Sequence, residues 1–362
     1  MGISKVEPER YEALLAEKAA RLERAFAIHS PPALEIYDSP RDHYRMRCEF
    51  RTWHQGDELD YVMFEPGDKY RHHALTSCPM VHRPIEELMF PLLEVIREDR
   101  ELRYRLFQVD FLSTLSGGML VTLLYHRQLA DPWRAKAEAL AERFGVHVMG
   151  RARKQRLVLS QDHLIETLTV DDQRYQTKQI ESSFTQPNAI ICQKMLEWAV
   201  DATRGIGGDL VELYCGNGNF TIPLAGNFRR VIATEISKTS ARAAIAGLEL
   251  NQITNVDIVR ISAEDFSRVL RGELTTRRMK GIDLSQYDFR AVLVDPPRAG
   301  LDADTVGQVQ IYDHILYVSC NPATLLENLA QLCETHEIVR FALFDQFPYT
   351  DHIETGVLLR RR

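Results

Sequence analysis

The chain lacks most of the features that reveal a function from composition alone. It has no basic excess: 44 Lys+Arg stand against 51 Asp+Glu in 362 residues, a formal net charge of -7. Nucleic-acid binders often carry a basic surplus. Cutting the chain at Ile180 uncovers none, with 26 basic against 28 acidic residues up to that point and 18 against 23 after it. Any polyanion must therefore be gripped by local patches. No stretch approaches the ~18 apolar residues of a membrane helix. The start runs directly into Lys5, Glu7, Glu9 and Arg10, so neither a membrane association nor a secretory leader is expected. The six cysteines, Cys48, Cys78, Cys192, Cys215, Cys320 and Cys333, include no C-x-x-C pair. That spacing argues against a zinc knuckle and an iron–sulfur cluster, so no metal is expected. Their scatter fits reduced thiols and a cytoplasmic location. Internal repeats and low-complexity segments are also missing.

What remains is an ordinary globular composition, 45% hydrophobic and 26% charged. The length suffices for two domains. The first half reads as α+β with a mostly antiparallel sheet. Tyr11, Leu14, Leu15, Leu22 and Phe26 recur at helical spacing over residues 7–26. Pro31, Pro32 and Pro40 then mark a loop. Strict alternation over 43–53 predicts a half-buried strand, with Tyr44, Met46, Cys48 and Phe50 inward and Arg45, Arg47, Glu49 and Arg51 outward. That arginine face is either merely solvated or a phosphate-contacting surface. Helices are expected over 84–98 and 131–144. Strands are expected over 106–112, 119–125, 146–149 and 156–159, with a weaker one at 177–180. The densest basic run, Arg151-Ala152-Arg153-Lys154-Gln155-Arg156, is either a solvated loop or a polyanion contact.

The second half changes character. Apolar strands at 210–214, 230–234, 256–259, 291–294 and 315–318 alternate with helices such as 237–249, the signature of a parallel sheet covered on both faces. Two last strands, 338–344 and 353–359, are joined by a loop rather than a helix, which predicts an antiparallel pair at one edge.

Ligands of such sheets sit at the carboxyl ends of the strands, and the chemistry-bearing residues collect there. The first strand ends in Glu212-Leu213-Tyr214-Cys215-Gly216-Asn217-Gly218-Asn219-Phe220. Its glycines make either a plain tight turn or a close approach for a nucleoside. Glu235 follows at the end of the next strand, placed to accept hydrogen bonds from ribose hydroxyls. The full G-x-G-x-x-G is missing, which argues against NAD and leaves S-adenosylmethionine, whose ends need no pyrophosphate site. The fourth strand ends in Asp295-Pro296-Pro297-Arg298, either a stiffened loop or a rigid holder for a planar group. The fifth delivers Ser319-Cys320-Asn321-Pro322, and the final pair delivers His352-Ile353-Glu354.

These stretches, with Ser183-Phe184-Thr185-Gln186-Pro187-Asn188, resemble the RNA uracil-C5 methyltransferases. The likeness continues through His43-Tyr44-Arg45-Met46-Arg47 and Leu106-Phe107-Gln108-Val109-Asp110. It is similar to the branch that modifies tRNA and covers nearly the whole chain. The resemblance implies an α/β fold: a Rossmann-like class I S-adenosylmethionine-dependent methyltransferase domain over 181–362, preceded by an α+β RNA-binding domain over 1–180. The N-terminal helix is free to pack on either. It further implies methylation of uridine 54 in the T-loop of tRNA, giving ribothymidine, with Cys320 as nucleophile and Glu354 as base. Gln186, Tyr214, Asn219, Glu235 and Asp295 match positions that contact S-adenosylmethionine. Phe107 matches a residue of the RNA-binding half, with a core role as the alternative, and Arg51 is the accompanying RNA candidate. The tRNA T-arm is the expected partner, with no obligate protein partner.

The chemistry suits those residue types. Uracil C5 is a poor nucleophile until a thiolate adds at C6, and a cysteine offers more anion at neutral pH than any hydroxyl. A carboxylate must then remove the C5 proton, and the base must leave its stack to be reached. Two alternatives stay open on sequence alone: an enzyme acting on ribosomal RNA or on cytosine C5, and an RNA-binding protein that keeps the cofactor fold without turnover.

Overall fold

Strands that are apolar along their whole length need cover on both faces, and the C-terminal part of the chain supplies it. The computed structural model describes residues 6–65, 67–68 and 71–362; Lys5 lies outside these. Two compact units emerge, one from Pro40–Glu166 and Gln179–Ala189, the other from Glu9–Ser39, Thr167–Lys178 and Ile190–Arg362. The division is not a single cut at 180. The N-terminal helix and residues 167–178 group with the second unit, and 181–189 with the first.

The second unit holds an eight-stranded sheet in the order Glu35–Tyr37, His336–Phe344, Glu354–Arg361, His314–Ser319, Phe289–Val294, Asp209–Leu213, Arg230–Thr234, Val256–Val259. Glu354–Arg361 runs antiparallel to both neighbours, and the other pairings are parallel. From Asp209–Leu213 the chain winds outward through two strands, then returns to place Phe289–Val294 on the other side. The strand order therefore reverses between these two, and ligands favour the crevice outside the carboxyl ends at such a reversal. Val211, Leu213, Val292, Val294, Ile315 and Tyr317 are fully buried there. The helix Tyr11–Phe26 adds Tyr11, Leu15, Leu22 and Phe26 to the same core, and Phe26 stacks on Phe341 with centroids 4.9 Å apart. Each such side chain contributes about 1.5–3 kcal/mol by leaving water.

One expectation is corrected. His336–Phe344 is not an edge strand, because Glu35–Tyr37 pairs beyond it in parallel. Three residues are too short to show a period. What holds them is tertiary: Arg340 grips Glu35 with two bonds of 2.7 Å, and Tyr37 stacks on Phe344 at 4.9 Å.

The first unit carries a seven-stranded sheet in the order His72–Ala74, Glu58–Phe64, Arg47–Gln55, Leu106–Ser113, Met119–Tyr125, His147–Ala152, Gln155–Val158. It is antiparallel except where Met119–Tyr125 meets His147–Ala152, a parallel pair joined by the crossover helix Asp131–Phe144. That helix and Arg83–Glu98 pack their apolar stripes, including Trp133, Leu140, Met89 and Leu92, over Phe50, Val109, Phe111 and Val121. Trp133 lies so close to Gly150 that a Cβ there would come within 2.4 Å of the indole. A two-stranded hairpin, His163–Val170 and Gln173–Ile180, turns through Asp171 and Asp172, both with positive φ. Among the described residues no helix is long and apolar enough to cross a membrane, and no cluster of three or more His, Cys, Asp or Glu is placed to hold a metal ion.

Candidate active site

The candidate residues of the second unit's sheet gather at the carboxyl edge of its parallel strands, where the antiparallel strand Glu354–Arg361 begins. Asp209–Leu213 runs into Tyr214, whose φ of 64° is left-handed for a residue with a Cβ, then into Gly216 and Gly218 with φ of 58° and 83°. Only such a turn lets the chain leave the strand and enter the short helix Thr221–Leu224 without covering the crevice. Glu235, just past Arg230–Thr234, braces it. Its carboxylate accepts from Gly216 N at 3.0 Å and from Ser237 N at 2.6 Å. Beside it lies a cleft of about 170 Å³ lined by Tyr214, Thr234, Glu235, Ile236, Ile261, Ser262, Ala263 and Glu264. Apolar walls with two carboxylates, Glu235 and Glu264, in the lining suit a base and its ribose hydroxyls. Asn219 adds a buried amide: its Oδ1 accepts from the Cys192 thiol at 3.3 Å, and its Nδ2 has no partner. A nucleoside cofactor bearing an amino-acid end fits this set of donors and acceptors.

The relation of Cys320 to Glu354 is set by strand register. Ser319 stands opposite Thr355 in the antiparallel ladder, so one step further Cys320 faces Glu354. Val294 pairs with Tyr317 in the parallel ladder, which places Asp295 on the next strand end. Asn321 caps the helix Pro322–Leu332 through Ala323 N at 3.3 Å, and its Nδ2 donates to Arg298 O at 2.9 Å. Thr324 donates to the same carbonyl at 3.2 Å. Asn328 clamps the far end of that loop, accepting from Leu301 N at 2.9 Å and donating to Leu301 O at 3.0 Å. The Asp-Pro-Pro-Arg loop and the cysteine turn are thus one rigid piece.

Its electrostatics are dominated by buried acids. Glu354 is 3% exposed, and burial followed by the charge of Asp295 pushes its carboxyl well above the ordinary range, with Arg298 opposing. Burial raises Asp295 as well. The half-buried Cys320 thiol is raised by burial, then by Glu354 and Asp295, and lowered by Arg298. One strand inward, Glu212 is fully buried and pushed up to about 8 by burial, with Asp295 adding to it. These carboxyls prefer to stay neutral unless a cation arrives.

Of the residues singled out from sequence, Tyr214, Asn219, Glu235, Asp295, Cys320 and Glu354 share this edge of the second unit. Gln186 belongs to the first unit and is half-buried there. Glu212 was passed over as part of the strand, although an acid between Val211 and Leu213 in a fully buried strand was a signal. Arg298 stood inside a quoted motif without a role, and it is the cation that offsets the acids.

In the first unit, the Arg51 guanidinium lies 3.8 Å over the Phe107 ring, which meets His126 at 4.1 Å. Phe107 lies outside the hydrophobic core, on the face away from the helices. Arg45 and Arg47 are not merely solvated. Arg45 donates to Arg47 O at 2.8 Å and Arg47 to Ser183 O at 2.5 Å. The basic run is partly neutralised, Arg151 by Glu181 at 2.7 Å and Arg156 by Asp162 at 2.9 Å.

A sequence profile described as tRNA (Uracil-5-)-methyltransferase matches residues 10–362. The chain belongs to the tRNA (uracil-5-)-methyltransferase family. Relatives in this family include the tRNA/tmRNA (uracil-C(5))-methyltransferase of Chromohalobacter salexigens, 55% identical with 100% of this chain and 98% of that protein covered. The protein of the same name from Shewanella amazonensis is 53% identical with both chains covered fully. Among solved structures, the Pyrococcus abyssi tRNA (uracil-54, C5)-methyltransferase in complex with S-adenosyl-L-homocysteine superposes with a TM-score of 0.72 over 96% of this chain and 83% of that one, at 20% identity. This likeness bears out the Rossmann-like methyltransferase fold expected from the sequence.

Proposed function

We propose that the chain methylates uracil C5 in tRNA with S-adenosylmethionine as donor, at uridine 54 of the T-loop, through a covalent adduct on Cys320. Family membership and full-length similarity support the reaction class. The observation that carries the mechanism is the register that sets Cys320 against Glu354 beside Asp295 at the sheet's reversal point.

Glu235 and the cleft beside it would hold the nucleoside, with Asn219 and Asp295 as further contacts. When bound, S-adenosylmethionine supplies an electrophilic methyl group on a sulfonium. The chain's own residues do the rest. The Cys320 thiolate adds to C6 of the flipped uracil, and the electrons of the C5=C6 bond move toward C5, making it the nucleophile that the ring otherwise lacks. After C5 is methylated, a Glu354 carboxylate oxygen takes the C5 proton; the C–H pair re-forms C5=C6 and the C6–Sγ bond breaks, returning the thiolate. Burial pushes the Glu354 carboxyl toward its protonated form, so a positive charge in the crevice favours its working form. Arg51 and Phe107, stacked on an open sheet face, would hold unstacked bases of the T-arm. The enzyme would act in the cytoplasm, with tRNA as its partner.

The test is incubation with S-adenosylmethionine and tRNA containing 5-fluorouridine. Fluorine cannot leave as a proton does, so a methylated adduct should stall on the protein and map to Cys320 and uridine 54. Cys320→Ala should abolish both adduct and methyl transfer while S-adenosylmethionine still binds. Transfer near the wild-type rate by that variant would refute the nucleophile assignment.

A further inference from the structure

The base is delivered by a long hairpin. Phe344 stands opposite Glu354 in the antiparallel ladder, so residues 345–353 form the connection whose last step sets the Glu354 carboxyl. The loop turns through Tyr349 at a φ of 60°, a conformation that side chains rarely adopt. Its internal bonds are few: Thr350 Oγ1 donates to Phe347 O at 2.8 Å and accepts from His352 N at 3.2 Å.

Asp345 N also donates to Tyr37 O at 3.0 Å, and the helix Tyr11–Phe26 adds further anchors. Lys18 lies on its apolar stripe, between Leu15 and Leu22, and is only 6% exposed. Its ammonium donates to Asp345 Oδ1 at 2.6 Å and to Phe347 O at 2.9 Å. Arg21 donates to Asp351 O at 2.7 Å. The Tyr11 ring meets Tyr349 edge-on at 6.0 Å. The helix therefore holds both legs of the loop and its strained turn, all within the second unit. A lysine is almost never buried without a partner, and an apolar residue of similar volume would serve packing as well or better. The contact is specific in a way that stability alone does not require.

We propose that Lys18 is a positioning residue for proton removal, fixing loop 345–353 and through it the carboxyl of Glu354. The inference rests on the reading of Glu354 as the base. In the step concerned the C5–H bond breaks, the proton passes to Glu354, the electron pair forms C5=C6, and the thiolate leaves to Cys320.

The experiment compares Lys18→Met with wild type on tRNA whose uracils carry hydrogen or deuterium at C5. Turnover should fall roughly ten- to hundredfold, as for a slightly misplaced catalytic group, with KM for tRNA and S-adenosylmethionine held within about twofold. The deuterium effect on turnover should exceed that of wild type, and more protein should survive denaturation as RNA adduct. A simple loss of stability lowers the active fraction without changing the isotope effect. Lys18→Met/Asp345→Asn, which leaves no buried carboxylate without its counter-ion, carries the test if the single variant does not fold. A wild-type isotope effect in the folded variant overturns the proposal. Glu354→Gln is the control: if it fails to accumulate adduct, the base assignment falls whatever Lys18 does. If it stalls while the Lys18 variants keep the wild-type isotope effect, only the positioning role falls.

Discussion

Arg298→Gln removes a cation that opposes the acids around Cys320. The Cys320 thiol is raised by burial first, then by Glu354 and Asp295, and Arg298 pulls it back. Removing the guanidinium should raise the thiol further. An opposite charge within ~4–6 Å moves a pKa by about 1–3 units where water is excluded. Arg298 is exposed, so screening keeps the effect toward the low end of that range. Below its pKa the thiolate fraction falls tenfold for each unit of upward movement, so at fixed neutral pH the variant should hold up to about tenfold less thiolate. The assay is the rate of iodoacetamide alkylation across neutral to alkaline pH, read by peptide mass. Cys48, Cys78, Cys192 and Cys215 are buried, and mapping separates Cys320 from the half-buried Cys333. Arg298→Lys should stay close to wild type. A Gln variant whose pH curve superposes on wild type, or moves to lower pH, would refute the electrostatic account.

Glu354→Gln should slow release of product and accumulate methylated RNA bound to protein on denaturing gels; normal turnover would remove Glu354 from the mechanism. Glu212→Gln should change stability with pH. In the folded chain this carboxyl is held up to about 8 rather than 4.5, so between those values the unfolded chain releases a proton that the folded chain keeps, and stability falls as pH rises. The variant should lose that slope, at most ~1.4 kcal/mol per pH unit, in urea unfolding on the acid and alkaline sides of neutrality. Gly300→Ala should cost about 2 kcal/mol or more by thermal unfolding, since Gly300 has a φ of 75° and a Cβ there would come within 2.9 Å of Asn328 Oδ1. S-adenosylmethionine should release more protons on binding near neutral pH than S-adenosylhomocysteine, which lacks the sulfonium charge, measured calorimetrically in buffers of different ionisation enthalpy; equal release would count against acids pushed toward neutrality by burial.

Sequence reading brings the second unit's candidate residues to one sheet edge because they sit at strand ends. There a local pattern, an apolar run and then its interruption, already fixes which edge a residue reaches. The strands 230–234 and 256–259 lie where that pattern puts them. Elements stabilised from a distance were not legible. Glu35–Tyr37 owes its place to Arg340 and Phe344, far along the chain. Glu58–Phe64 carries Asp60 amid its apolar residues, which blurs the alternation. The strand expected over 43–53 begins only at Arg47, since His43 has positive φ and Met46 N is taken by Pro187 O at 2.7 Å. Lys18 was hidden inside an apolar stripe whose periodicity reads correctly with or without it, because a helical period records spacing and not what a charged group finds at the far end.

The acids of the crevice make sense together. An ionised carboxylate is costly to bury alone, and burial pushes Glu212, Asp295 and Glu354 toward their protonated forms. A thiolate at Cys320 faces the same penalty. A crevice shifted toward neutrality in this way lessens its repulsion of a polyanionic RNA, yet ionises more readily once a further cation shares it. For the proposed mechanism that reconciles two demands otherwise in conflict: Cys320 and Glu354 must both become anions, and burial disfavours each anion until more positive charge joins Arg298. Arg298 lessens the penalty from the chain's own side, and its position at the end of the proline-stiffened loop, with its carbonyl held by Asn321 and Thr324, ties that charge to the turn that carries the thiol.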